Sequence, residues 1–257
     1  MNGYLESLFS LKGRVAIVTG GGRGLGKGMA IALSGAGADV VLISRTADEL
    51  NTTAEEIRRA GGRAEAHPAD VSKVEEMDDL IRSIHSTRGR VDILVNNAGF
   101  AIRKPALDFT PGEWEQQVEV NLKGAYFVAQ AAGKVMKSQG RGKIINIGSL
   151  SSYIGLPNAS VYGITRGGIL SMTRSLALEW AKYRIHVNAI APGYFRTKQT
   201  APLFSDEKRR EWVLSRIPWG RAGLPGDLAG VAVFLASNAS DYITGQMIVV
   251  DGGWLAG

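Results

Sequence analysis

Short, strongly apolar segments alternate with longer segments of helical periodicity along most of the chain. Several of the short segments are continuously apolar rather than alternating, which is typical of parallel strands that are covered by helices on both faces. The pattern predicts seven strands, at residues 14–20, 39–44, 63–70, 92–97, 142–149, 185–192 and 246–252.

The segments between the strands predict helices near residues 24–37, 47–61, 73–88, 111–138, 160–183 and 225–237. Thr110, Pro111 and Glu113 form a capping-box sequence at the start of the fourth helix, and Pro225 and Asp227 open the last helix in a similar way. Strands that alternate with helices predict the α/β class, as a Rossmann-type, doubly wound, seven-stranded parallel sheet flanked by helices on both faces. No linker or repeat divides the chain, so residues 1–257 are predicted to form a single domain.

Composition and charge exclude several classes of function. The 257 residues include no cysteine, which excludes disulfides and thiolate chemistry, and the three histidines are too scattered to predict a metal site. The net charge of +6 is modest and indicates solubility rather than a nucleic-acid partner. No apolar segment is long enough to cross a bilayer and the first residues do not resemble a secretory signal, so we expect a cytoplasmic protein without a membrane partner.

A glycine-rich turn lies between the first strand and the first helix. Thr19, Gly20, Gly24 and Gly26 form the pattern T-G-x-x-x-G-x-G. Glycines at these positions permit a tight turn and let backbone amides at the helix N-terminus approach a pyrophosphate. Because the pattern follows a strand and precedes an apolar helix, it predicts a dinucleotide cofactor.

The end of the second strand indicates which dinucleotide is bound. Many dinucleotide-binding folds have an acidic residue there that binds the adenosine ribose hydroxyls, whereas this chain has Ser44-Arg45-Thr46. Arg45 can form a charge-assisted pair with a 2′-phosphate, and Arg23 in the glycine turn could lie on the same side. We therefore expect NADP(H) to be preferred, with NAD(H) possible. The alternative is that Arg45 is a solvated surface side chain.

Five further motifs follow in an order and spacing that resemble the short-chain dehydrogenase/reductase family. They are Asp70-Val71, "NNAG" at 96–99, Asn121 in "VNLKG", Ser149 in "IGS" with Tyr162 after it, and "APG" at 191–193 with Thr197. The resemblance extends from Lys12 to Trp254 and implies an enzyme that interconverts a secondary alcohol and a ketone by hydride transfer. The implied cofactor contacts are Gly20, Arg23, Gly24, Leu25, Gly26, Ser44, Arg45, Asp70, Val71, Asn97, Ala98, Gly99, Tyr162, Arg166, Pro192, Gly193 and Thr197.

The resemblance also implies a catalytic group. Tyr162 would be the general acid/base at the substrate oxygen, Ser149 would hydrogen-bond the same oxygen, and Asn121 would hold a water in the proton path. In the family, a lysine one turn after the tyrosine lowers the pKa of that tyrosine and binds the nicotinamide ribose, whereas this chain has Arg166. Three interpretations remain open: the arginine replaces the lysine functionally, it leaves a nucleotide-binding protein with impaired catalysis, or it is an incidental or engineered change.

The substrate is indicated less directly. Within the family the chain is most similar to gluconate 5-dehydrogenases and 2-deoxygluconate 3-dehydrogenases, which implies a keto sugar acid such as 5-ketogluconate. The alternative is a reductase of 3-oxoacyl thioesters or of other ketones. Side chains that could meet a substrate carboxylate are Arg103, Lys104, Tyr194, Arg196 and Lys198. The alternative for the basic ones is that they are solvent-facing loop charges.

Two expectations concern access and assembly. Residues 194–219 mix aromatic side chains with charges and are predicted to form short helices, either as a substrate lid or as a hairpin that covers the sheet edge. The family resemblance implies a homotetramer, with interfaces on the helices at 111–138 and 160–183 and on the stretch from Gly245 to Trp254.

Overall fold

The computed structural model describes residues 3–257 and contains a seven-stranded sheet in which every pairing is parallel. The strands are β1 (Val15–Thr19), β2 (Asp39–Ser44), β3 (Arg63–Pro68), β4 (Ile93–Asn96), β5 (Gly142–Ile147), β6 (Ile185–Pro192) and β7 (Met247–Val250). Their spatial order is β3-β2-β1-β4-β5-β6-β7, so the order reverses between β1 and β4. The predicted doubly wound parallel sheet is confirmed, and its reversal point marks the crevice where such sheets bind ligands.

Helices cover both faces of the sheet. In the described residues they are α1 (Gly3–Phe9), α2 (Gly24–Gly35), α3 (Ala47–Arg59), α4 (Val74–Arg88), α5 (Pro111–Val118), α6 (Ala125–Gln139), α7 (Ser160–Trp180), α8 (Ala201–Ser205), α9 (Glu207–Ser215) and α10 (Ala229–Ala236). Among these residues, no helix is both long enough and apolar enough to cross a membrane.

The core has two layers because successive residues of a strand point to opposite faces of the sheet. Val15 and Ile17 of β1 pack on the side of α4, α6 and α7. Ala16 and Val18 alternate with these two residues along β1 and pack on the opposite side, against α2, α3 and α10. Burial on both faces explains why these strands are continuously apolar.

The prediction of one helix at 111–138 is wrong in detail, because a π-helix (Glu119–Gly124) separates α5 from α6. A β-carbon at Gly124 would lie 2.7 Å from the carbonyl oxygen of Val71, so this segment packs directly on the chain after β3. Thr110 and Glu113 do form the predicted capping box at the start of α5, with the Glu113 carboxylate 2.9 Å from the Thr110 amide nitrogen.

Two other elements differ from the predictions. Helix α1 was not predicted; it has no buried residue, and its Tyr4 and Leu5 are largely exposed. The last predicted helix begins as a 3-10 turn over Pro225–Leu228 before α10.

The segment 194–219 contains the predicted short helices, α8 and α9. It forms a small apolar cluster of its own, in which Val213 and Ile217 pack with Leu150 and Trp254. The segment therefore rests on the chain after β5 and on the C-terminal residues. Its role as a lid stays a prediction.

Candidate active site

A cleft opens at the carboxyl ends of the central strands. It brings together most of the residues that the sequence predicted for cofactor, catalysis and substrate. Those that line it are Gly20, Arg23, Gly24, Leu25, Asn97, Gly99, Arg103, Ser149, Tyr162, Arg166, Pro192, Gly193, Tyr194, Thr197 and Lys198. The other predicted residues, Gly26, Ser44, Arg45, Asp70, Val71, Ala98, Lys104, Asn121 and Arg196, lie outside this lining.

The glycine turn after β1 is built around absent side chains. Gly20 and Gly24 have positive φ angles of 65° and 56°, which favour glycine. A β-carbon at Gly20 would lie 2.7 Å from Nδ2 of Asn97. Asn97 itself donates from Nδ2 to the carbonyl oxygen of Thr19 at 3.0 Å. The end of β4 is thus tied to the turn, at the point where the sheet order reverses.

The ends of β2 and β3 form an outer rim beside this turn. Arg45 follows β2, is largely exposed, and lies 3.9 Å from the Asp70 carboxylate. Asp70 accepts hydrogen bonds from the amide and the hydroxyl of Ser72, at 2.9 and 2.8 Å. Burial acts to raise the pKa of Asp70, but these bonds and the charge of Arg45 outweigh it and hold the pKa below its usual value. Asp70 is therefore anionic, and Arg45 remains exposed enough to meet a ligand.

Ser149, Tyr162 and Arg166 meet on the opposite wall. Ser149 is buried after β5, and Tyr162 and Arg166 lie one helical turn apart on α7. Arg166 is only 5% exposed; its Nη1 donates to the carbonyl oxygen of Ile147 at 2.8 Å, and its Cζ lies 4.9 Å from the centre of the Tyr162 ring. The guanidinium is therefore held inside the site, beside the tyrosine.

The pKa of Tyr162 lies below the ordinary value of a tyrosine. Burial acts to raise it, but the charge of Arg166 and hydrogen bonding by Ser149 and Arg166 stabilise the phenolate, and the charge of Arg103 adds to this effect. A tyrosine with a lowered pKa is suited to exchange a proton with a substrate oxygen near neutral pH.

Asn121 lies in the π-helix behind this wall. Its side chain donates to the carbonyl oxygen of Phe100 at 2.7 Å and accepts from the amide of Phe100 at 2.9 Å. A β-carbon at Gly99 would lie 2.5 Å from Nη2 of Arg166 and 3.0 Å from Oδ1 of Asn121. Asn121 thus fixes the loop against which the guanidinium packs. Its predicted role in holding a water stays a prediction.

The candidate substrate residues separate into two groups. Arg103 lines the cleft with its Cζ 5.9 Å from the Tyr162 ring centre, and Tyr194 lines it while packing on Trp254 at 4.8 Å. Burial raises the pKa of Tyr194, so its hydroxyl stays protonated as a hydrogen-bond donor. Lys104 and Arg196 instead point elsewhere.

Lys104 pairs with the Glu113 carboxylate at 2.7 Å, and Arg196 lies over the ring of Phe204 at 5.6 Å. Lys198 lines the cleft but also contacts Glu49. These partners lie on other elements of the fold, so the basic character of the loops alone did not distinguish Arg103 from its neighbours.

Several other lining residues were not predicted individually from the sequence. They are Ala101, Ile147, Gly148, Leu150, Leu156, Phe195, Gln199 and Thr200. Ile147 and Gly148 belong to the "IGS" motif, and most of the others directly neighbour predicted positions.

Comparison with known proteins identifies the family of this chain. Residues 20–255 match the family model described as enoyl-(acyl carrier protein) reductase. A 2-dehydro-3-deoxy-D-gluconate 5-dehydrogenase from Escherichia coli is 47% identical, over 97% of this chain and 98% of the relative. The chain belongs to the short-chain dehydrogenase/reductase family.

Two solved structures of short-chain dehydrogenases resemble the whole fold. A putative short-chain alcohol dehydrogenase from Sinorhizobium meliloti is 48% identical with a TM-score of 0.94, covering 97% of this chain and 99% of that one. A gluconate 5-dehydrogenase from Burkholderia cenocepacia, solved with NADP and tartrate, is 39% identical with a TM-score of 0.95, covering 98% and 99%. The chain is accordingly an NAD(P)-dependent oxidoreductase that acts on a hydroxyl or keto group.

The short-chain dehydrogenase cofactor fits the residues of this cleft. Helix α2 begins at the glycine turn without a side-chain cap, which leaves its first amides available to a pyrophosphate. Deeper in the cleft, the buried Nε of Arg166 has no hydrogen-bond partner among residues 3–257, so it can donate to a ligand. Thr197, Pro192 and Gly193 form the facing wall. Residues 3–257 contain no group of histidine and acidic side chains arranged to hold a metal ion.

Proposed function

We propose that the protein is an NADP(H)-preferring oxidoreductase that interconverts a secondary alcohol and a ketone at carbon 5 of a gluconate-type sugar acid, such as 5-ketogluconate. The names of the E. coli and B. cenocepacia relatives both place the reaction at carbon 5 of such an acid. The observation that carries the proposal is that Arg103 and Tyr162 lie side by side in one cleft. A keto acid can then present its carboxylate to Arg103 and its carbonyl to Tyr162.

The proton chemistry follows from the wall of the cleft. In ketone reduction the Tyr162 hydroxyl gives its proton to the substrate oxygen, and the Ser149 hydroxyl hydrogen-bonds the same oxygen. Arg166 stabilises the phenolate that remains, since its charge is fixed at any working pH. The nicotinamide supplies or accepts the hydride. In alcohol oxidation the Tyr162 phenolate takes the proton back.

Arg166 functionally replaces the lysine in this proposal. Its burial, its bond to Ile147 and its position beside the Tyr162 ring support the first of the three interpretations. The free Nε supports a contact with the cofactor. A nucleotide-binding protein without turnover is the alternative.

The preference for NADP(H) rests on cations at the adenosine end. Arg45 directly follows β2, and Arg23 lies in the glycine turn after β1, at the start of α2. The position after β2, where many dinucleotide-binding folds have an acidic residue, is thus occupied by an arginine. The B. cenocepacia neighbour was solved with NADP. Both observations support a 2′-phosphate site.

A homotetramer is part of the proposal. Apolar side chains remain exposed on the outer faces of the helices that we expect at the interface, with Trp114, Tyr126 and Leu178 being 41%, 38% and 83% exposed. These exposed apolar side chains are available for a contact with another copy. The C-terminal stretch differs, since Trp254 is buried within its own chain.

A substrate panel tests the proposal. Oxidation of NADPH and of NADH is followed by nicotinamide absorbance with 5-ketogluconate, with a neutral ketone of similar size and with a 3-oxoacyl thioester. We expect turnover with 5-ketogluconate and NADPH. The second candidate is the 3-oxoacyl thioester, since the description of the matching family model names an acyl thioester, although an enoyl one. Faster turnover of the 3-oxoacyl thioester would replace the sugar acid as the proposed substrate.

A further inference from the structure

We infer that Glu49 sets the strength of the NADP(H) preference, because its carboxylate competes with the 2′-phosphate for Arg23 and Lys198. The inference deepens the proposed function and rests on its NADP(H) preference.

One carboxylate oxygen of Glu49 joins three parts of the chain. It lies 3.3 Å from Nη1 of Arg23 in the glycine turn and 3.4 Å from Nζ of Lys198 in the segment after β6. Both cations line the cleft, whereas Glu49 does not. The Glu49 side chain is 23% exposed, against 63% for Arg23 and 79% for Lys198. The two long side chains therefore converge on a carboxylate held near the protein surface.

The sequence at the start of α3 would also allow Glu49 to form a capping box with Thr46, but this capping box is not formed. Thr46 and Glu49 have the same T-x-x-E spacing as Thr110 and Glu113 at the start of α5. At α5 both side chains bond the helix end, and the capping box is complete. At α3 the N-cap Thr46 makes no side-chain cap bond, and Glu49 reaches across to the two cations.

The position of Glu49 relative to the glycine turn is fixed by packing. Thr53, one turn further along α3, donates to the carbonyl oxygen of Gly22 at 2.9 Å. A β-carbon at Gly22 would lie 3.1 Å from the backbone and the β-carbon of Glu49. Helix α3 therefore contacts the turn directly, and the carboxylate stays next to Arg23.

A 2′-phosphate carries up to two negative charges and three acceptor oxygens, so it can take both cations from a single carboxylate. NAD(H), which has a hydroxyl at that position, gains little from them. Arg45 stays available because its distance to Asp70 is 3.9 Å. The carboxylate of Glu49 thus weakens the binding of NADP(H) but not that of NAD(H). It thereby reduces the difference in affinity between the two cofactors.

The test uses two fragments that differ only in the 2′-phosphate, 2′,5′-ADP and 5′-AMP, with affinities measured by calorimetry. The matched control for Glu49→Gln is Glu56→Gln, which removes another carboxylate of α3, one that pairs with Lys27 of α2 at 2.6 Å. Exposed ion pairs are weak, so we expect Glu49→Gln to tighten 2′,5′-ADP binding by about 3- to 10-fold. Binding of 5′-AMP should be unchanged, and Glu56→Gln should change neither affinity.

An unchanged or weaker affinity of Glu49→Gln for 2′,5′-ADP would overturn the inference, even if the native protein prefers that fragment. Equal native affinities would overturn the NADP(H) preference instead, while a gain in Glu49→Gln would still support the role of Glu49. In an Arg23→Gln/Lys198→Gln background, Glu49→Gln should have no effect. A gain that persists there would contradict competition for these two cations.

Discussion

Replacing Arg166 by glutamine should raise the pKa of Tyr162 and slow alcohol oxidation. The guanidinium Cζ lies 4.9 Å from the Tyr162 ring centre, in a site where Arg166 is 5% exposed. At an effective dielectric constant of about 20, a charge at about 5 Å stabilises a phenolate by about 3 kcal/mol, which corresponds to about a 100-fold change in the equilibrium between phenol and phenolate. Glutamine removes this charge and keeps a polar, though shorter, side chain.

The sign follows from the proton that Tyr162 must accept. Oxidation of the alcohol needs the phenolate, whose fraction falls tenfold for each unit by which the pKa exceeds the pH. Below that pKa, Arg166→Gln should therefore lower the oxidation rate by about 100-fold. Arg166→Lys keeps the charge, so its pH profile should stay within about one unit of the native profile.

The assay is the pH dependence of kcat for alcohol oxidation in the native protein, Arg166→Gln and Arg166→Lys, with cofactor affinity measured separately. An Arg166→Gln profile that coincides with the native one would refute the electrostatic argument. A gain of about 100-fold in Arg166→Lys, about 2.7 kcal/mol, would instead identify the arginine as disabling.

Three further outcomes are expected. Arg103→Ala should raise the KM for 5-ketogluconate by about 10- to 100-fold and leave the KM for a neutral ketone unchanged. The readout is KM rather than kcat, because the charge of Arg103 also acts on the pKa of Tyr162. Lys104→Ala is the control because Lys104 pairs with Glu113, and equal effects of the two variants on the KM for 5-ketogluconate would contradict carboxylate binding by Arg103. Arg45→Ala should weaken NADP binding by about tenfold more than NAD binding in a fluorescence titration, and equal losses would contradict the 2′-phosphate assignment. Light scattering should give a tetramer that Leu178→Glu dissociates, and a native monomer would exclude this assembly.

The fold was predictable because its signals are local. The strands are apolar on both faces, and the start of α5 carries the capping box formed by Thr110 and Glu113. Tyr162 and Arg166 could be placed on one helix face from their spacing alone, and the structure brings them to the cleft that also contains Ser149. Parallel strands end at one edge, which makes such convergence a consequence of topology.

Features that depend on contacts between different elements of the fold were not predictable from the sequence. Arg103 and Lys104 are neighbours, yet one lies beside Tyr162 and the other pairs with Glu113, because the position of α5 decides between them. The π-helix likewise depends on contacts outside its own sequence, including the bonds of Asn121 to the chain after β4. The hydrophobic periodicity of residues 111–138 does not indicate these contacts.

The central claim is that Tyr162 transfers the proton to a sugar-acid carbonyl. Its most direct test is the rate of NADPH oxidation with 5-ketogluconate by the native protein and by Tyr162→Phe, which removes only the hydroxyl. The account predicts turnover by the native protein and a loss of at least about 100-fold in kcat for the variant, with NADPH affinity retained. Equal rates in the two proteins would contradict it.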